Sequence, residues 1–358
     1  MSRLGMIGCG GISHAHLRAA RNSDRDIRFV ACCDVDEARA RRWAERYGCE
    51  AYHTDMGEMI RQRPLDGVVI ATWPADHRRH VEQCLAAGAR HILCEKALAV
   101  TGAEAMDIRR MVHEAGAKLI EGFMYRHHPA IRKLESLLSA GELGPVDRVR
   151  AAFDIADPQT DSPEDPARDW RRRKECAGGV PFDLACYCVN ACNHFGRGLP
   201  RRVQAVARTS ERYGTIDRLY AMIEHDGGSV GIVASSAAAD LMQGLEIVCR
   251  QGRLHLPIAW SIYDRITVTE QRSTSWIEYD VREHPIARAD PYQLQLENFV
   301  DLIADRAVPR VPLDESVANA IVMEAVLTAA DEGRAVDVDL PGFAAEALLD
   351  GQTRSPEQ

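Results

Sequence analysis

The sequence predicts two domains: a doubly wound α/β domain on a parallel sheet, then an α+β domain on a large, mostly antiparallel open sheet. Three observations predict this. The first third alternates short apolar runs with helical patterns, the remainder carries longer alternating strands followed by late helices, and 358 residues exceed what one ordinary core organises.

In the first part, apolar runs fall at 4–7, 27–33, 67–71, 91–94 and 118–123, with helical patterns at about 13–22, 36–47, 77–87 and 103–115. Short apolar strands alternating with helices need cover on both faces, which is the situation of a parallel sheet. Val68-Val69-Ile70 is continuously apolar, as a central strand requires. After about residue 125 the pattern changes. His128-Pro129 opens a helix, and Gly141-Glu142-Leu143-Gly144-Pro145 closes it with turn chemistry. Alternating strands follow at about 146–155, 203–210, 216–225, 229–237, 245–250 and 265–279, and Asp226-Gly227-Gly228 reads as a hairpin turn. Helices are expected at about 292–306 and 315–332. The domain limits on this reading are 1–124 and 125–340, with 341–358 as a mostly frayed tail. The stretch 157–174, rich in Pro, Asp and Arg and without periodicity, reads as a long loop, of a length that in compact domains is either functional or disordered.

Composition narrows the function. Basic residues number 44 against 53 acidic, a formal net charge of −9, which argues against nucleic acid as a partner. No apolar run approaches the roughly 20 residues that span a bilayer, and Met1-Ser2-Arg3-Leu4 leads directly into a strand, with no secretion signal. A cytoplasmic protein without membrane partners is expected. The 11 cysteines are odd in number and scattered through apolar runs, so they read as small buried hydrophobes. Cys186, Cys188 and Cys192 with His194 match no common zinc spacing, and no metal is expected.

Gly8-Cys9-Gly10-Gly11-Ile12-Ser13 follows the first strand and opens the first helix. Gly8 permits the tight turn, Gly10 and Gly11 let the backbone approach a pyrophosphate, and Ile12 starts the helix whose N-terminus holds it. Asp34 closes the second strand, where an acid takes the adenosine ribose hydroxyls. This is the dinucleotide-binding Rossmann arrangement. A carboxylate at Asp34 repels a 2′-phosphate, so NAD is expected in preference to NADP; Arg39, Arg41 and Arg42 downstream are the groups that would admit NADP.

Cys94-Glu95-Lys96-Ala97 resembles the Glu-Lys-Pro signature of the glucose–fructose oxidoreductase/inositol dehydrogenase (Gfo/Idh/MocA) family. Ala71-Thr72-Trp73-Pro74 with His77 resembles its third-strand cofactor turn, and Phe123-Met124-Tyr125-Arg126 with Pro129 its domain junction. Trp170-Arg171, Gly178-Gly179, Asp183 and Tyr187 resemble the loop and helix that bring its catalytic pair. Tyr292 to Phe299 and Ala329 to Val336 resemble its last helices. Ala97 replaces the family proline and Val180 a third glycine. Many members carry His where Tyr187 stands, so Tyr187 is similar to the aldose and dihydrodiol dehydrogenase and keto-sugar reductase branches. The resemblance implies an NAD-dependent oxidoreductase moving hydride to or from a hydroxyl or keto carbon of a sugar, cyclitol or sugar derivative. It also implies a homodimer or homotetramer paired through the open sheet. The alternatives are a redox-neutral glycosidic lyase or hydrolase holding NAD tightly, and a non-catalytic NAD-binding regulator.

Hydride transfer needs a group that moves the hydroxyl proton and a donor that stabilises alkoxide character. Lys96, Asp183 and Tyr187 are the candidate catalytic residues; Thr72, His77, Glu95 and Lys96 join Gly8, Gly10, Gly11, Ile12 and Asp34 at the cofactor. Tyr125, Arg126, Trp170 and Arg171 join Asp183 and Tyr187 at the substrate. Asp183, Tyr187, Asn190 and His194 form one polar stripe on an otherwise apolar helix, which faces either water or a polar cavity; the resemblance selects the cavity. The basic cluster Arg168, Arg171, Arg172, Arg173 and Lys174 is either a solvated face or a source of one or two pocket arginines. Arg171 is the best placed, and a second, Arg172, would imply an anionic substrate.

Overall fold

The computed structural model describes residues 1–156, 169–239, 242–275 and 277–353. The chain divides into two compact units, one of Met1–His127 with Asp290–Ser316, the other of His128–Ala289 with the chain from Val317 onward.

The first unit runs β1 (Ser2–Ile7), α1 (Ser13–Asn22), β2 (Ile27–Cys33), α2 (Glu37–Tyr47), β3 (Ala51–His53), α3 (Met56–Gln62), β4 (Gly67–Ile70), α4 (Pro74–Ala86), β5 (His91–Glu95), α5 (Gly102–Glu114) and β6 (Lys118–Gly122). Its six strands are parallel in the order β3-β2-β1-β4-β5-β6. The order reverses between β1 and β4, and open α/β sheets bind ligands beyond the carboxyl ends of the strands at that reversal. β4 is buried along its whole length, as its unbroken apolar run requires. Helix starts are set by side-chain caps: Asp36 accepts from Arg39 N–H, Asp55 from Glu58 N–H and Thr101 from Glu104 N–H.

The second unit opens with α6 (Pro129–Ser139) and β7 (Val146–Asp154). After the loop come α7 (Cys186–Phe195), β8 (Pro200–Thr209), β9 (Ile216–His225), β10 (Val230–Ser236), β11 (Leu245–Cys249), β12 (Gly252–Leu256), β13 (Ile266–Ser273) and β14 (Tyr279–Ile286). The chain ends with α8 (Pro291–Ile303), α9 (Leu313–Glu332), β15 (Val336–Asp337) and α10 (Gly342–Thr353). The nine-stranded sheet runs β14-β13-β12-β11-β7-β10-β9-β8-β15, antiparallel except for the β7–β10 pair.

Three expectations need correction. Residues 290–316, assigned to the second domain, belong to the first unit. Asp290 caps α8 through Tyr292 and Gln293 N–H, and Phe299 and Ile303 pack so closely on Gly67 that a Cβ there would stand 3.0 Å from both. Residues 342–353 of the expected tail are helical, with Ala344 and Leu348 buried in a cluster with Ala318. The strand expected over 265–279 ends at Ser273 as β13, and the strands on either side of it, β12 and β14, were not expected. Residues 157–168, the greater part of the expected loop, and Arg168 with them, lie outside the described residues; 170–176 form two short 3-10 turns.

Candidate active site

In the first unit the glycine turn leaves β1 at the sheet's carboxyl edge. Gly8 has φ +89°, and a Cβ there would meet Ala71 O at 2.7 Å and Thr72 Cγ2 at 3.0 Å, so only glycine lets the β1 and β4 turns lie this close. Around Gly10 and Gly11 the reverse holds: an added Cβ meets nothing within 4 Å. Ile12 gives α1 no side-chain cap, so the helix N-terminus presents its positive end to that open space. Ser13, expected only to be small, accepts from the Trp43 indole N–H at 2.9 Å and donates to Gly10 O at 2.6 Å, which fixes the turn from behind.

Asp34 is buried, with Oδ2 accepting from Cys9 N–H and Oδ1 from Asp36 N–H, each at 2.9 Å. The half-exposed Arg39 guanidinium lies 3.6 Å from Oδ2. An open glycine cradle at a helix N-terminus and an acid at the end of β2 fit a pyrophosphate-bearing dinucleotide.

The turns after β4 and β5 are joined by histidines. Thr72 Oγ1 lies 2.9 Å from His80 Nδ1, while Arg79 faces His80 Nε2 at 3.3 Å. A guanidinium only donates, so Nε2 carries the lone pair and Nδ1–H donates to Thr72, leaving the Thr72 hydroxyl proton to a ligand. Burial holds His80 down to about 4, so it is neutral at pH 7. His77 was expected at the cofactor. It is instead fully buried, with Nδ1 at 2.8 Å from Ala97 O and Nε2 at 3.2 Å from Thr72 O, so both ring nitrogens face backbone carbonyls. Glu95, also expected at the cofactor, is buried; Oε1 accepts from His16 Nε2 at 2.7 Å and Oε2 from Lys96 N–H at 3.3 Å. Lys96 is half-buried just past β5, and the Lys96–Ala97 peptide is cis.

Tyr125 and Arg126 were expected at the substrate. Both are buried in the first unit, Tyr125 edge-on to Phe123 with ring centroids 6.2 Å apart and Arg126 paired with buried Glu315. A buried guanidinium needs such a partner, and this one is committed to it.

In the second unit, Arg171 Nε donates to Asp183 Oδ2 at 2.6 Å, and Asp169 caps the 170–172 turn by accepting from Arg171 N–H at 3.1 Å. Gly178 makes this possible: a Cβ there would lie 2.4 Å from Trp170 O and 2.6 Å from Arg171 O. A π-helical turn over Pro181–Ala185 leads into α7. Tyr187 packs against Phe153 and Trp260, with centroids 5.5 and 6.0 Å away. The expected polar stripe divides. Asp183 pairs with Arg171, whereas buried His194 bonds Glu135 at 2.8 Å and lines a separate cavity of about 450 Å³ with Ser139, Arg197 and Gln352. Arg172 is also committed, its guanidinium 4.7 Å from the Tyr213 ring centroid and 3.8 Å from Asp169. The cysteines are unbridged, and burial pushes Cys33 and Cys192 up to about 12. Among the described residues no cluster of three or more His, Cys, Asp or Glu could hold a metal, and no helix is long and apolar enough to cross a membrane.

His16, His80, Trp43, Phe153 and Trp260 escaped the sequence reading. His16 sat in an amphipathic helix whose periodicity says nothing about the acid it meets.

The first unit and its glycine cradle define a dinucleotide-binding fold of the Rossmann type. Residues 2–123 match the oxidoreductase family with the NAD-binding Rossmann fold, and residues 131–255 match the GFO/IDH/MocA C-terminal domain. The chain belongs to the GFO/IDH/MocA oxidoreductase family. It is 30% identical to D-xylose 1-dehydrogenase (NADP(+)) 2 of Haloferax volcanii, over 94% of this chain and 99% of that enzyme. It is likewise 30% identical to trans-1,2-dihydrobenzene-1,2-diol dehydrogenase of Bos taurus, over 71% of this chain and 73% of that one. A 3-ketoreductase from Actinomadura kijaniata, solved with NADP and TDP-benzene, shares the fold with a TM-score of 0.81 at 22% identity, covering 92% of this chain and 97% of that one.

Proposed function

We propose that the chain moves hydride between nicotinamide and a hydroxyl or keto carbon of an uncharged sugar, cyclitol or sugar derivative. The observation that carries this reading is the open glycine cradle on the same sheet edge as Thr72 and Lys96. The relatives named for D-xylose and for a dihydrobenzenediol support a hydroxyl-bearing carbon as the target. NAD(P), when bound, supplies the hydride acceptor or donor. Gly8, Gly10, Gly11 and Ile12 hold its pyrophosphate, Asp34 its ribose, and Thr72 donates to it.

Lys96 Nζ stabilises the substrate oxygen as that oxygen gains alkoxide character. Tyr187 Oη exchanges the substrate hydroxyl proton; its ordinary pKa is about 10, so a cation beside the phenol is needed for it to act as a base. Asp183 orients the hydroxyl, and Arg171 and Trp170 shape the substrate side. Arg172, the residue that would have recognised an acid, is held by Asp169 and Tyr213, which favours uncharged substrates.

NAD is the preferred carrier because Asp34 repels a 2′-phosphate. Arg39, beside that carboxylate and half-exposed, lets NADP serve as well, in keeping with the NADP(+) in the D-xylose relative's name. Val206, Tyr220 and Met222 are exposed on cross-strand neighbours of β8 and β9, which supports pairing of two copies through the open sheet; sedimentation tests this. The test of function is the near-ultraviolet absorbance of reduced nicotinamide, with NAD and NADP supplied separately against neutral sugars, cyclitols and sugar acids. Turnover with a neutral member supports the reading; none with any member, at concentrations where cofactor binds, overturns it.

A further inference from the structure

Past Glu95, which pairs with Gly122, the chain leaves the sheet ladder, yet its backbone groups are buried and need partners. Three buried titratable side chains supply them. Lys96 N–H donates to Glu95 Oε2 at 3.3 Å, His77 Nδ1–H donates to Ala97 O at 2.8 Å, and Leu98 N–H donates to Glu121 Oε1 at 2.8 Å. They come from β5, α4 and β6, and each is at most 3% exposed. Burying such groups is costly, and an apolar turn with main-chain partners would avoid the cost. They are spent on three backbone groups of two peptides, 95–96 and 97–98, on either side of the proposed catalytic lysine.

We propose that His77 and Glu121 are positioning residues for Lys96: by holding Ala97 and Leu98 they fix the backbone from which the lysine projects. The inference rests on the role given above to Lys96. The chemistry of both residues suits the task. Burial holds His77 below the usual histidine range, so it is neutral, and its single ring proton serves the shorter contact, to Ala97 O. Burial pushes the Glu121 carboxyl up to about 8, with Glu315 and Glu95 adding to the shift, so at neutral pH it is mostly the uncharged acid, whose carbonyl oxygen accepts from Leu98 N–H. With that proton on Nδ1, Nε2 carries a lone pair and faces Thr72 O at 3.2 Å without bonding it, so the bond to Ala97 O is the one this ring makes.

Side chains of matched shape test this. His77→Asn keeps a donor at the Nδ1 place, whereas His77→Gln moves the amide toward the Nε2 place and loses Ala97. Glu121→Gln keeps the acceptor, whereas Glu121→Leu removes it. In the cofactor-free protein, trace acetylation read by mass spectrometry should change the Lys96 labelling rate about threefold or more in His77→Gln and Glu121→Leu, relative to Lys118 and Lys133 as internal standards. His77→Asn and Glu121→Gln should restore it. In the enzyme with cofactor, kcat should fall about 10- to 100-fold in the first pair, with KM and the dissociation constant of NAD little changed, and return in the second. Equal Lys96 labelling in all four variants overturns the proposal. If Lys96→Ala leaves kcat intact, the catalytic role of Lys96 is what fails, and the labelling still decides whether the brace exists.

Discussion

The turn that carries Lys96 and the loop that carries Arg171 and Asp183 are held by different means. Around Lys96 the partners are buried: His77, Glu95 and Glu121 bond the backbone, and His16 bonds Glu95. Around Arg171 the ion pairs are partly solvated, with the Arg171 side chain 46% exposed and Asp183 16%. Exposed ion pairs of that kind contribute at most about 1 kcal/mol, so they orient more than they hold. What holds the second region is backbone packing, in which Trp170 and Arg171 lie against a glycine that admits no side chain. Polar brackets fix the first region and a missing Cβ fixes the second, so the two should fail differently.

The largest effect expected in the second region falls on chemistry. Tyr187→Phe keeps the packing on Phe153 and Trp260 but removes the hydroxyl, and kcat should drop about 100-fold or more with KM little changed, by steady-state kinetics. A kcat within twofold of wild type would make Tyr187 only a wall of that cluster. Next comes Gly178→Ala, whose Cβ must displace Trp170 and Arg171. A rise of roughly tenfold in the KM for sugar is expected with the affinity for NAD unchanged, together with a loss of about 1–3 kcal/mol in stability. If KM holds, the glycine contact does not set the substrate side.

A smaller change is expected at Asp34, where the removal of one carboxylate leaves Arg39 with only Asp36, 3.8 Å away, beside it. Asp34→Ala should shift the ratio of kcat/KM for NADP over NAD upward by about tenfold, and Arg39→Ala should shift it downward.

The smallest effect is a pH dependence of stability. Glu121 is an acid whose folded pKa, about 8, lies above its unfolded 4.5. Its neutral form therefore stabilises the fold in full below about 4.5, and that stability is lost as pH rises through about 8. Glu121→Gln cannot ionise, so thermal melts should show its Tm gaining on wild type as pH is raised across that window. Parallel curves would place the Glu121 pKa near its ordinary value.

Much of the first unit was legible in the sequence because its strands are unbroken apolar runs and its glycine turn has a fixed place after β1. β3 and α3 were missed because Ala51-Tyr52-His53 is short and α3 buries only Met59. β14 buries nothing fully, so the two-residue period that would have separated it from β13 is absent. α10 read as frayed because its burial rests on Ala344, Leu348 and Gly351, two of them small residues without a strong apolar stripe. At the candidate site, the residues proposed to meet a ligand through backbone or strand-end position could be named from sequence: Gly8, Gly10, Asp34 and Lys96. Those whose role depends on distant partners could not. Arg126 read as a substrate contact because nothing local reveals Glu315, and His77 read as a cofactor contact because nothing local reveals Ala97.

The central claim is that Lys96 does chemistry from a pre-set turn beside a dinucleotide site. It is tested most directly by measuring, on Lys96→Ala, both NAD binding by titration and kcat with a neutral sugar that the wild type turns over. A kcat lowered about 1,000-fold with the NAD dissociation constant within about twofold of wild type is the predicted result. An unchanged kcat, or a loss explained wholly by failed NAD binding, would contradict it.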